Sequence, residues 1–250
     1  MNDFVFPALP QTSVAVHGTG KRFPVHRIYC IGRNYEAHVR EMGHDPDRSP
    51  PIFFCKPADA ILEPDASGVI HFPYPSATEN LHYEAELVVA IGQGGRDIDR
   101  QDARSHVFGY AVGLDMTRRD LQRAAAKAGQ PWETGKAFDG SAPLGAIVPV
   151  KDGGHPSAGE LSLTVNGQVR QKADLQQLIW GVEDIIAELS HLFELQPGDL
   201  IFTGTPEGVG EVRPGDRMVC RVEQLGQINV TVESASPARG QEPGSEAVLA

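Results

Sequence analysis

The chain has 250 residues, 40% hydrophobic and 22% charged, with a formal net charge of −11. That length buries a sizeable core in one domain of above-average size, or in a main domain with a small appendage. The acidic balance without a Lys/Arg block argues against a nucleic-acid partner, and no apolar run approaches the roughly 20 residues that cross a bilayer, so no membrane role is expected.

The opening MNDFVFPALP lacks a basic segment followed by an apolar core. Cys30, Cys55 and Cys220 are odd in number and far apart, without a Cys-x-x-Cys pair. They read as core thiols in a cytoplasmic or equally reducing compartment rather than as disulfides or a thiolate metal site. Residues 1–27 hold one alternating run around Val14 to Val16 and a Gly-rich turn, an N-terminal arm or hairpin ahead of the main domain over 28–234. Ile28 to Ile31 reads as a strand ending at Gly32, with Asn34 as N-cap of a helix from Tyr35 to Met42 that Gly43 closes. The polar, turn-forming HDPDRSPP follows. Its composition suggests that Arg33 to Pro51 is a mobile lid.

Ile52 to Phe54 is a strand, and after several Pro-broken short strands comes LHYEAELVVAIG, residues 81–92. Val107 to Leu114 is a second buried strand. Thr117 then starts a capping-box-like entry to a helix that Gly129 ends. The Asn166-Gly167 turn predicts a hairpin, and the spacing of Val182, Ile185, Ile186, Leu189, Leu192 and Phe193 predicts an amphipathic helix to Leu195. Two Pro-Gly-Asp turns, at 197–199 and 214–216, each introduce a strand. The last 15 residues have the composition of a disordered tail, placed over 235–250. The sum is an α+β chain dominated by β structure.

The 81–92 strand poses a chemical problem. Side chains two apart share a face, so Glu84 and Glu86 point the same way, along with Val88 and Ala90, while Ala85, Leu87, Val89 and Ile91 take the other face. Both faces look buried. Two carboxylates ~6 Å apart at an effective dielectric of ~20 repel by about 3 kcal/mol. A shared proton, a basic neighbour or a cation ligated by both would offset this, as would simple solvation of the strand's first residues. Asp115 ends the Val107 to Leu114 strand. If Thr117 rather than Asp115 caps the helix, three carboxylates describe a hard-oxygen site suited to Mg²⁺, Mn²⁺ or Ca²⁺. His82, on the same face, is a possible ligand or a neighbour of one. His38 and Glu41 lie three apart on a helix face, either a general-base pair or a surface ion pair. Lys136 is a single cation in a small-residue stretch, either a site lysine or a loop lysine.

Taken together, Gly-Arg-Asn-Tyr35 with His38 and Glu41, Tyr-Glu-Ala-Glu86, Gly-Leu-Asp-Met-Thr117 with Arg119 and Gln122, Lys136 with Phe138-Asp-Gly-Ser-Ala-Pro143, and Thr203-Gly-Thr-Pro206 resemble the fumarylacetoacetate hydrolase superfamily. The likeness is greatest to its short acylpyruvate hydrolase branch and runs from about Ile28 to Ile228. It implies a mixed β-roll or β-sandwich, a homodimer, and Mg²⁺ or Mn²⁺ held by Glu84, Glu86 and Asp115. Longer members add a fourth acidic ligand where this chain has Arg33-Asn-Tyr35, so only three carboxylates carry over. The implied reaction is hydrolysis of the carbon-carbon bond of an acylpyruvate, with fumarylpyruvate the best candidate. His38 and Glu41 activate water, Lys136 with Gln122 stabilises the oxyanion, and Arg33, Tyr35, Arg119, Gln122 and Thr205 contact a small anionic 2-oxo acid. The alternatives are oxaloacetate decarboxylation or oxo-acid isomerisation on the same site and, ranked lower, a non-catalytic cation-binding domain.

Overall fold

The computed structural model describes residues 4–43 and 50–234. The expected tail over 235–250 and the centre of the expected lid, residues 44–49, lie outside the described residues.

Two large mixed sheets form the body. In the first, six strands run in the order Val148–Pro149, Val107–Leu114, Ala85–Ile91, Leu200–Phe202, Ile28–Gly32, Ile52–Lys56. Only the Leu200–Phe202 and Ile28–Gly32 pair is parallel. The second has five strands, ordered Gln168–Asp174, Glu160–Val165, Arg217–Val222, Gly226–Glu233, Val69–Pro73. Few helices interrupt them, which makes the fold α+β with β structure dominant.

The single strand expected over 81–92 is two, Leu81–Tyr83 and Ala85–Ile91, with Glu84 between them, and the longer one is buried along both faces as its sequence predicts. Leu87, Val89 and Ile91 pack with Leu161, Leu163, Cys220, Val230 and Phe72 of the five-stranded sheet. Val88 and Ala90 pack on the opposite side with Val14, Val16, Phe23 and Val25. Val14 and Phe23 belong to a hairpin of Ser13–Ala15 and Arg22–Pro24, and Val16 and Val25 directly follow its two strands. Burying a strand on both faces needs two partners, and here they are a sheet and a hairpin.

Local turn chemistry works as expected at several joints. Asn166 and Gly167 both have positive φ, 51° and 77°, in the turn joining Glu160–Val165 to Gln168–Asp174. In both Pro-Gly-Asp turns the aspartate accepts from the backbone N–H three residues back, Gln196 to Asp199 and Arg213 to Asp216, each at 2.8 Å.

Four expectations need correction. Asn34 is not a helix N-cap: the helix is Glu36–Glu41, and the buried Asn34 side chain bonds Trp180 and Thr203 instead. Thr117 caps nothing, because it lies in a short strand paired to His82 and its hydroxyl donates to the Asp115 carbonyl. The amphipathic helix stops at Leu192, since Leu195 is drawn into a bridge with Gly95. Cys55 is exposed, because its strand Ile52–Lys56 lies at the edge of its sheet and is only partly covered, whereas Cys30 and Cys220 are buried.

Gly113 marks a close approach. A Cβ there would lie 2.6 Å from Val88 Cγ2 and 2.8 Å from Phe202 Cε1. Gly113→Ala is therefore expected to destabilise the protein by about 1–3 kcal/mol through overpacking. Urea unfolding checks this, and an unchanged midpoint would mean that the sheet yields.

Candidate metal centre and active site

The three carboxylates come from one antiparallel ladder. Glu86 pairs with Gly113 and Ala85 with Leu114, and beyond them His82 pairs with Thr117 in the same register. Between these pairs the Asp115 N–H donates to the Glu84 carbonyl at 2.9 Å. Glu84 thus stands directly across from Asp115, and Glu86 is two residues along the same face. Gly113, opposite Glu86, adds no side chain to the space. One ligand oxygen from each of Glu84, Glu86 and Asp115 lies within 4.8 Å of the others. His82 is outside this group, and its Nδ1 lies 3.4 Å from Arg119 Nε.

Like charges across a ladder repel, so the cluster needs cations. Lys136, in the short helix Glu133–Lys136, places Nζ 2.6 Å from Glu84 Oε2 and 2.7 Å from Asp115 Oδ2. Lys56 Nζ is 2.8 Å from Asp115 Oδ1. Arg119, at the start of the helix Arg119–Lys127, donates to Glu84 Oε1 and, at 3.2 Å, to Gln122 Oε1. Glu86 receives instead the Gly204 N–H, at 2.7 Å. Gly204 has φ 94°, a conformation open to glycine, and a Cβ there would meet Asn34 Cβ at 2.7 Å.

Electrostatics separate the glutamates. Burial pushes Glu84 up, but Lys136 and Arg119 outweigh it and hold the carboxyl well below the usual range. Burial, Asp115 and Glu84 together raise Glu86 well above that range. Burial lowers Lys136, but Asp115 and Glu84 prevail and keep it raised. Burial and the charges of Arg119 and Arg123 drop His82 to about 4, a neutral imidazole near pH 7.

The carboxylates form one wall of a cavity of about 150 Å³. Arg119, Gln122, Arg123 and Ala126 line it from one helix at i, i+3, i+4 and i+7 spacing. Gly32, Arg33, His38 and Met42 line it from the other side, with Thr205, Trp132 and Phe54. His38 is buried, and its Nδ1 lies 3.3 Å from Glu41 Oε2. Glu41, half exposed, stands behind it and accepts from the Gly208 N–H. Of the residues expected at the site, Tyr35 and Glu41 do not line the cavity: the Tyr35 ring is packed in the core. Arg119, expected to contact substrate, spends one donor group on Glu84.

Lys56, Arg123 and the Gly204 N–H were not anticipated. A lone lysine closing the apolar run IFFC, and an arginine one turn after Arg119, were the available signals. No pattern announces a backbone N–H.

The donor set is all oxygen, anionic and buried, which fits a hard divalent cation. The family model for the fumarylacetoacetate (FAA) hydrolase C-terminal region matches residues 27–233. The chain belongs to the fumarylacetoacetate hydrolase family.

Within it, the fumarylpyruvate hydrolase of Ralstonia sp is 45% identical over 196 residues, covering 78% of this chain and 100% of that one. The oxaloacetate tautomerase YcgM of Escherichia coli (strain K12) is 40% identical over 197 residues, covering 78% and 88%. A crystal structure of fumarylpyruvate hydrolase from Pseudomonas aeruginosa in complex with Mn²⁺ and pyruvate matches with a TM-score of 0.91 at 53% identity, over 93% of this chain and 100% of that one. The fold is thus that of the fumarylacetoacetate hydrolase family, and the acidic ladder supports a divalent metal. Among the described residues no helix is long and apolar enough to cross a membrane.

Proposed function

We propose that this protein hydrolyses the carbon-carbon bond of an acylpyruvate, fumarylpyruvate being the best fit, to give a carboxylic acid and pyruvate. The observation that carries the reading is the placement of the buried His38, backed by Glu41, on the same cavity as the acidic ladder and Lys136.

Glu84, Glu86 and Asp115 would hold Mg²⁺ or Mn²⁺, with Ca²⁺ able to take the same oxygens in a crystal. Such an ion supplies Lewis acidity toward the oxygens of a 2-oxo acid. The remaining steps belong to the chain. Glu41, anchored by the Gly208 N–H, orients the His38 ring so that its other nitrogen can take a proton from water. The resulting hydroxide attacks the distal carbonyl carbon. Lys136 stabilises the oxyanion with Gln122, whose amide oxygen is held by Arg119, leaving its NH₂ end to donate. Collapse breaks the bond to the pyruvyl carbon, and its electron pair leaves as the enolate of pyruvate, which then takes a proton.

Relatives named oxaloacetate tautomerases, at 38–40% identity, favour a second reading: oxo-acid isomerisation, or decarboxylation of oxaloacetate, neither of which needs activated water. Turnover of fumarylpyruvate, acetylpyruvate and oxaloacetate by the Mg²⁺-loaded protein separates them. Hydrolysis with release of pyruvate is expected from the acylpyruvates, and enol-keto conversion of oxaloacetate without acylpyruvate cleavage would establish the second reading instead. A cytoplasmic homodimer completes the proposal.

A further inference from the structure

The charges around the cavity do not balance, and the surplus has a location. The three carboxylates are equalled in number by three cations, Lys56, Lys136 and Arg119, all of which contact Glu84 or Asp115. Two further cations line the same cavity, Arg33 and Arg123, both exposed. Neither has a hydrogen-bond or ion-pair partner among the described residues. Arg33 is also held at φ 61°, in the left-handed region that non-glycine residues seldom occupy. Such strain persists where surrounding structure enforces it, and here Asn34, next in the chain, is pinned by bonds to Trp180 and Thr203. Arg123 follows Arg119 by one helical turn, so it shares that residue's face but lies farther from the carboxylates' ion pairs. The same cavity has an aromatic stretch of wall: the Trp132 and Phe54 rings lie 5.8 Å apart.

We propose that Arg33 and Arg123 are specificity-determining residues that bind a second carboxylate, at the far end of the acyl group, and so select a dicarboxylate acylpyruvate over a monocarboxylate one. This rests on the acylpyruvate reading above. An acylpyruvate with one carboxylate is anchored entirely at the acidic ladder and leaves both arginines unmatched. A planar unsaturated acyl chain ending in a carboxylate would lie along Trp132 and Phe54 and bring its charge to the guanidinium groups, which bind carboxylates through paired N–H donors.

The test compares fumarate with crotonate, which has the same planar four-carbon chain but a methyl group in place of the second carboxylate. Binding of each to Mn²⁺-loaded protein is measured by calorimetry for wild type, Arg33→Gly, Arg123→Met and the double variant. Glycine tolerates the backbone conformation at position 33, so that variant removes the side chain without adding strain. Fumarate is expected to bind wild type roughly 100-fold more tightly than crotonate, with the ratio falling roughly 10-fold in each single variant and approaching one in the double. Beside this, the ratio of kcat/KM for fumarylpyruvate to that for acetylpyruvate should fall in parallel. Equal binding of the two acids by wild type, or a preference that survives in the double variant, overturns the proposal. Absence of acylpyruvate turnover by wild type would overturn the hydrolase reading alone, because the fumarate-to-crotonate ratio is read without turnover.

Discussion

Glu86→Gln is expected to abolish Mn²⁺ binding while making the metal-free protein more stable. Glu86 is the ladder carboxylate without a cation in contact: its partner is the neutral Gly204 N–H, whereas Glu84 and Asp115 hold Lys136, Lys56 and Arg119 between them. Burial and the other two carboxylates raise its pKa well above the unfolded value. In the metal-free protein the folded state therefore keeps a proton on Glu86 that the unfolded chain releases above pH ~4.3. Stability must then fall as pH rises through that window, at up to about 1.4 kcal/mol per pH unit, until Glu86 ionises in the folded state. Glutamine removes this slope, so the variant's advantage in EDTA should grow with pH and then level off. Mn²⁺ reverses the order, because it binds the ionised carboxylates and stabilises wild type by about 2.7 kcal/mol at 100 times its Kd. Affinity in Glu86→Gln should drop by more than the 10- to 100-fold typical of residues that only orient a ligand. Thermal melts across pH, with EDTA and with Mn²⁺, read both effects. Equal stabilisation of variant and wild type by Mn²⁺ would remove Glu86 from the ion.

The second large effect concerns His38. Its ring is buried at the cavity wall and Glu41 lies behind it, 41% exposed and bound to the Gly208 N–H. His38→Gln is expected to lower kcat for fumarylpyruvate hydrolysis by roughly 10² to 10⁴, the contribution of a positioned general base. Glu41→Gln should cost less, because the imidazole remains and only its orientation and basicity suffer. Both variants should keep wild-type Mn²⁺ affinity, since neither side chain belongs to the acidic group. Rapid-mix kinetics with parallel metal titration separate the cases. A Glu41→Gln loss equal to or larger than that of His38→Gln would make Glu41 the base, and a loss of Mn²⁺ affinity in either would place that residue on the ion.

Much of this site was legible in the sequence, for a physical reason. Strand periodicity is local, so placing Glu84 and Glu86 on one buried face required only extended backbone around them, and helical spacing did the same for His38 with Glu41. The Asn166-Gly167 turn and the apolar runs that became the central strands are likewise set by neighbours in the chain.

What the sequence could not determine is everything settled by register and by distant contacts. That Glu84 faces Asp115 depends on how the strands Ala85–Ile91 and Val107–Leu114 align, the alignment that also sets Glu86 across from Gly113. The Asn34 side chain had a plausible local use as a cap. Tertiary structure gave it Trp180 and Thr203 instead, because a buried loop must satisfy its polar groups wherever partners come within reach. Lys56 and Lys136, 80 positions apart, meet at Asp115 for the same reason that the carboxylates can be buried at all: a charge leaves water only where folding supplies its counter-charge.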